Sequence, residues 1–113
     1  MPKKVEKVNL EQGQPSVEQA LQKLRNDLST LKRQGTKAAI IIHGWGSSGV
    51  GGSIKPAVRK ALGDSSMRGI VRASVGGEDW AQKRREFIGM CKALEEEDRQ
   101  LTGNPGVTVV ILR

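Results

Sequence analysis

The sequence predicts one α/β domain, with helices covering a largely parallel or mixed sheet in the order β-α-β-α-β-α-β. Three observations carry that expectation. An uninterrupted apolar run from Ala38 to Ile42 is the length of a strand buried on both faces. The segment before it, residues 17–31, repeats its apolar residues at helical spacing. Glycine and proline clusters then punctuate the chain between periodic segments. With 113 residues there is room for one core, so a single domain over 1–113 is expected. A hydrophobic share of 36% against 27% charged residues suits a globular domain rather than a disordered one.

Each element has its own signal. Val5, Val8 and Leu10 alternate with polar neighbours and predict a short strand ending before Gly13. Ser16 followed three residues later by Gln19 forms a capping box, and Gly35 closes the helix that it opens. Val17, Ala20, Leu21, Leu24, Leu28 and Leu31 lie on one face of that helix. After the Ala38 strand, Ser53 is placed to cap a second helix, with Pro56 tolerated in its first turn and Gly63 ending it. A third strand is expected over 70–75, closed by Gly76-Gly77. A long inserted helix is expected over 78–101, because Trp80, Phe87, Leu94 and Leu101 recur every seven residues. Gly103-Asn104-Pro105-Gly106 is a turn signal, and a β-branched strand over 107–112 follows it.

Composition narrows the chemistry. One cysteine, Cys91, excludes an internal disulfide framework, and a buried thiol in a reducing, cytoplasmic setting is the expectation. A single histidine and a single cysteine cannot build a nitrogen- or sulfur-rich metal cluster, so no metal site of that kind is expected, which leaves open only a hard cation held by carboxylates and phosphates. Imidazole chemistry must pass through His43. No apolar run reaches bilayer-spanning length, which argues against a membrane role. The net charge is +7, and it is uneven: residues 1–77 hold 13 Lys and Arg against 5 Asp and Glu, whereas residues 78–113 hold 6 against 7. A basic excess of this kind attracts polyanions.

The informative segment is IIIHGWGSSGVGGSIKPAVRKAL, in which a buried strand delivers His43 to a glycine-rich stretch ahead of a helix. Ligand sites of open α/β sheets sit at this position. Glycines allow close backbone approach, and a helix amino end favours phosphate. Two familiar patterns fail here on a mechanistic residue. Gly44 to Gly49 satisfies GxGxxG, but no acidic residue ends the next strand. The stretch 46–53 approaches a P-loop, but Gly52 stands where the lysine must be.

HGWG, the glycine-rich stretch, IKPAVRKAL and the closing GNPGVTVVIL together resemble the small MutS-related (Smr) domain family. That resemblance implies a two-layer α/β sandwich around a mixed four-stranded sheet, similar to the C-terminal domain of bacterial translation initiation factor three. It also implies binding of DNA or RNA, with endonuclease activity in several members. His43, Gly44 and Gly46 match the family's HGxG signature. In the family's first motif, LDxHG, Asn9 stands in the place of Asp and Glu11 in the place of His, with Gln12 inserted before Gly13.

Two functions follow, and a third is weaker. As an endonuclease, the chain would use His43 as general base or acid. Glu11 would orient His43 or hold a divalent cation such as magnesium. As a binding module without catalysis or cofactor, it would contact a DNA or RNA backbone through Gly44, Trp45, Gly46 and Ser47. Lys55, Arg59 and Arg72 would add charge, and Trp45 would stack on a base or sugar. Binding is the better supported, because Asn9 and Glu11 replace the residues linked to cleavage. The weakest alternative makes the 78–101 stripe (Trp80, Phe87, Ile88, Leu94, Leu101) a docking face for a protein partner.

Overall fold

The computed structural model describes residues 4–13, 15–44 and 54–113. Strand β1 (Val5–Asn9) leads into helix α1 (Val17–Arg33) and strand β2 (Ala38–Ile42). Helix α2 (Ile54–Leu62) precedes strand β3 (Val71–Gly76). Helix α3 (Trp80–Met90), the one-turn helix α4 (Asp98–Leu101) and strand β4 (Val107–Leu112) complete the chain. The sheet has the order β1-β2-β4-β3. β1 runs parallel to β2, whereas β4 lies antiparallel between β2 and β3. The sheet is therefore mixed and four-stranded, as the sequence predicts.

Local signals explain most boundaries. Ser16 caps α1 by accepting the Gln19 amide at 3.1 Å, and the Gln19 side chain accepts the Ser16 amide at 2.9 Å. The capping box is thus complete. Gly35 takes φ +87° behind the helix, a conformation that glycine adopts without strain. The proposed cap for α2, Ser53, lies outside the described residues.

Strand alternation divides the core in two. Ala39 and Ile41 of β2 join Val110 and Leu112 of β4 on one face, beneath Leu24 and Leu28 of α1 and Val58 of α2. Ala38, Ile40, Val109 and Ile111 point the other way, against Trp80, Phe87, Leu94 and Leu101. Both faces are covered, which is why β2 and β4 read as continuous apolar runs.

The segment 78–101 departs from the predicted single helix. Helix α3 ends at Met90, Cys91 adopts extended backbone, a 3₁₀ stretch covers Lys92–Glu97, and α4 follows. A straight helix of that length would reach about 36 Å, roughly twice the span of the five- and six-residue strands below it. Breaking at Cys91 lets Leu94 and Leu101 return to the sheet. Gly89, just before the break, weakens the helix there. The Trp80 indole donates to Asp98 at 2.7 Å and Arg84 donates to the same carboxylate at 2.9 Å, which ties α3 to α4. The proposed docking stripe is largely consumed by this packing: Trp80, Phe87, Leu94 and Leu101 are buried in the core, and Ile88 is half-buried against it.

Two glycines should respond in opposite ways. A Cβ on Gly77 would collide with the Asn104 backbone carbonyl and with Val107, whereas one on Gly89 would meet open space. Gly77→Ala is expected to cost about 3 kcal/mol in denaturant unfolding. Gly89→Ala should gain about 0.5 kcal/mol in the same measurement. The reverse order would contradict this packing.

Candidate nucleic-acid interface

The carboxyl end of β2 meets the amino end of β4 at the site. The turn after α4 prepares that meeting: Asn104 accepts the Gly106 amide at 2.9 Å and donates to the Gln100 carbonyl at 3.1 Å. The Gly106 carbonyl then accepts both the His43 amide at 3.0 Å and the Gly44 amide at 3.1 Å. The turn predicted at 103–106 therefore holds the first half of the HGxG signature by its backbone.

His43 continues the parity of Ala39 and Ile41, and Thr108 that of Val110 and Leu112. Both side chains thus fall on the α1/α2 face and meet there. His43 is 1% exposed. Its Nδ1 lies 2.9 Å from the Gly44 carbonyl and its Nε2 lies 2.8 Å from Thr108 Oγ1. A carbonyl can only accept, so Nδ1 carries the proton. Burial pushes the imidazole pKa below its usual 6.5, opposed by the Gly44 hydrogen bond and reinforced by the charges of Arg59 and Lys55. The ring is therefore neutral at pH 7, and the Thr108 hydroxyl donates to Nε2. Arg59 Nε makes a longer contact, 3.4 Å, to the same hydroxyl.

Arg59 and Lys55, both singled out as phosphate-binding, sit together on α2. They share a carboxylate that the sequence did not mark. Arg59 grips Glu78 with two guanidinium nitrogens, at 2.9 and 2.5 Å, and Lys55 stands 3.3 Å from it. The Arg59 hydrogen bonds hold the Glu78 pKa down to about 2. Gly76 makes room for this cluster, since a Cβ there would strike both Glu78 and Arg59. A cleft of about 450 Å³ opens beside Arg59 and Thr108, lined also by Asp79, Gln82 and Lys83.

The first-motif residues fall at the end of β1, next to β2. Asn9 uses its side chain locally, accepting the Glu11 amide at 2.8 Å and the Gln12 amide at 3.2 Å. Glu11 lies against Gly44: a Cβ at 44 would stand 2.7 Å from its carboxylate, and Gly44 holds φ +84°. Glycine is required there on both counts. Among the described residues, no three His, Cys, Asp or Glu side chains converge to hold a metal ion. Trp45, Gly46 and Ser47 lie outside the described residues.

Arg72 does not join this group. It precedes the Ala73↔Ile111 pair, at the opposite end of the sheet from His43. Thr108 and Glu78 are the residues that sequence reasoning missed. Thr108 had one signal, a lone hydroxyl in the apolar VTVVIL run; Glu78 had none, since its contact with α2 is made only in three dimensions.

A family model for the Smr domain matches residues 12–113. The chain belongs to the Smr domain family. The match begins at Gln12, just past Asn9 and Glu11. The fold is similar to that in the crystal structure of the Smr domain of Thermus thermophilus MutS2, with a TM-score of 0.60 and 24% sequence identity, covering 96% of this chain and 98% of that one. No curated protein matches the sequence. Among the described residues, no helix is long and apolar enough to cross a membrane.

The neutral, buried His43 gives a pH signature. Its folded-state pKa lies below its unfolded value, so the unfolded chain takes up the proton first as pH falls. Stability should be full above pH 6.5 and should decline as the pH drops below it. In His43→Gln that decline should vanish between pH 6.5 and 5, leaving only the carboxylate losses at lower pH. Urea unfolding at stepped pH measures it, and identical slopes in the two proteins would refute the buried neutral ring.

Proposed function

We propose that this Smr domain is a non-catalytic nucleic-acid-binding module whose glycine-rich segment after β2 meets a DNA or RNA backbone. One observation carries the choice of binding over cleavage. His43 is buried, with both ring nitrogens committed to Gly44 and Thr108. A general base needs an accessible lone pair within reach of the proton it removes. Here the lone pair is already taken, and the ring acts to fix the backbone at Gly44.

In this reading Gly44, Trp45, Gly46 and Ser47 approach the phosphates, with Trp45 stacking on a base or sugar. Lys55 and Arg59 supply charge from α2, and Glu78 is their resident counter-ion until phosphate replaces it. Binding of this kind needs no cofactor. The endonuclease alternative rests on Glu11, whose carboxylate lies against Gly44. With a divalent cation such as magnesium it would place charge beside the backbone.

Supercoiled plasmid and structured RNA, with and without magnesium, separate the two. Retention that weakens steeply as salt rises, with no nicked or cleaved product, is the expected result. Magnesium-dependent nicking that disappears in Glu11→Gln would overturn the non-catalytic reading. Releasing Arg59 and Lys55 by Glu78→Gln should tighten binding about fivefold near 0.1 M salt, the order expected for one added phosphate contact.

A further inference from the structure

The two ends of the sheet differ in charge. At the His43 end, Lys55 and Arg59 are matched by Glu78, with Glu11 beside Gly44. At the other end a groove of about 530 Å³ runs between the strand termini and the helix break at Cys91. Lys4, Lys37, Arg72, Lys92 and Arg113 line it, and no acidic residue does. All five are exposed, and none makes a salt bridge among the described residues. The floor is apolar, formed by Met90, Cys91, Ala93, Ile111 and Leu112.

The topology builds this cluster from five separate places in the chain. The Lys4 carbonyl accepts the Lys37 and Ala38 amides at 2.9 and 3.0 Å, and the Lys37 carbonyl accepts the Leu112 amide at 2.9 Å. The Arg113 amide donates to Ile70 at 3.0 Å, and its guanidinium to the Arg68 carbonyl. Lys4, Lys37 and Arg113 are therefore held on paired backbone, Arg72 sits at the irregularity between the Val71 and Ala73 pairs of β3, and Lys92 reaches in from the broken segment on the second face. Like charges repel when gathered this way, and among the described residues no carboxylate side chain pairs with any of the five. An external polyanion offsets that repulsion. The groove has an edge as well: beyond Lys4, Glu6, Glu96 and Glu97 line the neighbouring depression, where Lys7 lies 3.7 Å from Glu97. A polyanion is thus steered away from β1 and across Lys37 and Arg72.

We propose that this groove is a second nucleic-acid contact, binding the phosphate backbone at the end of the sheet opposite His43. It rests on the nucleic-acid reading above and extends the footprint. Lys37 and His43 flank β2, so the two contacts lie roughly 20 Å apart at about 3.3 Å per residue, or about six base pairs of duplex.

The test compares the full chain with the triple variant Lys37→Gln, Arg72→Gln, Lys92→Gln. A second triple variant, Lys23→Gln, Arg25→Gln, Arg33→Gln, makes an equal charge change on the solvent face of α1. Fluorescence anisotropy with 20-base single-stranded DNA and RNA, titrated across salt, gives affinity and salt slope. The groove variant should bind at least about 10-fold more weakly at 0.1 M salt, with the slope reduced by about 2, at roughly 0.7 per lost phosphate contact. The α1 variant should keep the native slope. Equal losses in the two variants, or no loss in the groove variant while the native chain binds, would overturn the groove and leave the domain's nucleic-acid role standing. A native chain that binds neither probe would defeat that role itself. Poly-glutamate is the alternative polyanion: binding to it that the groove variant alone loses, with nucleic-acid binding unchanged, would assign the groove to an acidic protein and overturn the proposal.

Discussion

The hydrogen bond between Thr108 and His43 joins parts of the chain that are 65 residues apart, and the remaining contacts of the site arrange themselves around it. Thr108 lies at the start of β4, His43 directly follows its antiparallel neighbour β2, and Arg59 reaches the same hydroxyl from α2. Arg59 in turn holds Glu78 at the end of β3. One connected set of polar groups thus fixes two strand ends, a helix and the start of the segment that covers the second face. In a core that is otherwise almost entirely apolar, an imidazole is tolerable only because both of its ring nitrogens are partnered. On the non-catalytic reading proposed above, the burial that stabilises this arrangement also keeps the histidine out of proton chemistry.

Charge follows a different logic from packing. The net +7 reads as one basic surface when counted along the chain, with the excess confined to residues 1–77. Folding redistributes it. Glu78, from the acidic part of the sequence, is carried to the two cations on α2, and Lys92 and Arg113 are carried to the far end of the sheet. The signature end is left nearly balanced, and five cations without a salt bridge among the described residues gather at the opposite pole. On the proposed reading, the two ends of the same four strands contribute differently: paired cations and glycine backbone at one end, unpaired cations at the other.

Much of this fold was legible in the sequence because its signals are local. The capping box at Ser16 and Gln19, the apolar run of β2, the Asn104 turn and the strand after it each depend on neighbouring residues, and each forms as read. The 78–101 helix was misread for a global reason. Its seven-residue spacing is compatible with a helix, but a short sheet cannot support one of that length, and spacing carries no record of what lies beneath. Arg72 shows the same limit. Its charge was visible, whereas the antiparallel placement of β3 beside β4, which sends it away from His43, is a property of topology. The site was legible at His43 and Gly44 through the signature, only faintly so at Thr108 through its lone hydroxyl in an apolar run, and illegible at Glu78, whose role exists only through a long-range contact.

The account turns on the state of one ring, and nitrogen NMR of His43 reads it directly. The shifts of Nδ1 and Nε2 at pH 7 should report a protonated Nδ1 and a bare, hydrogen-bonded Nε2. They should stay so when the domain is saturated with a 20-base RNA or DNA. A ring that titrates near neutrality, or that exchanges its tautomer and releases Thr108 on binding, would contradict a structural histidine and return His43 to the candidates for catalysis.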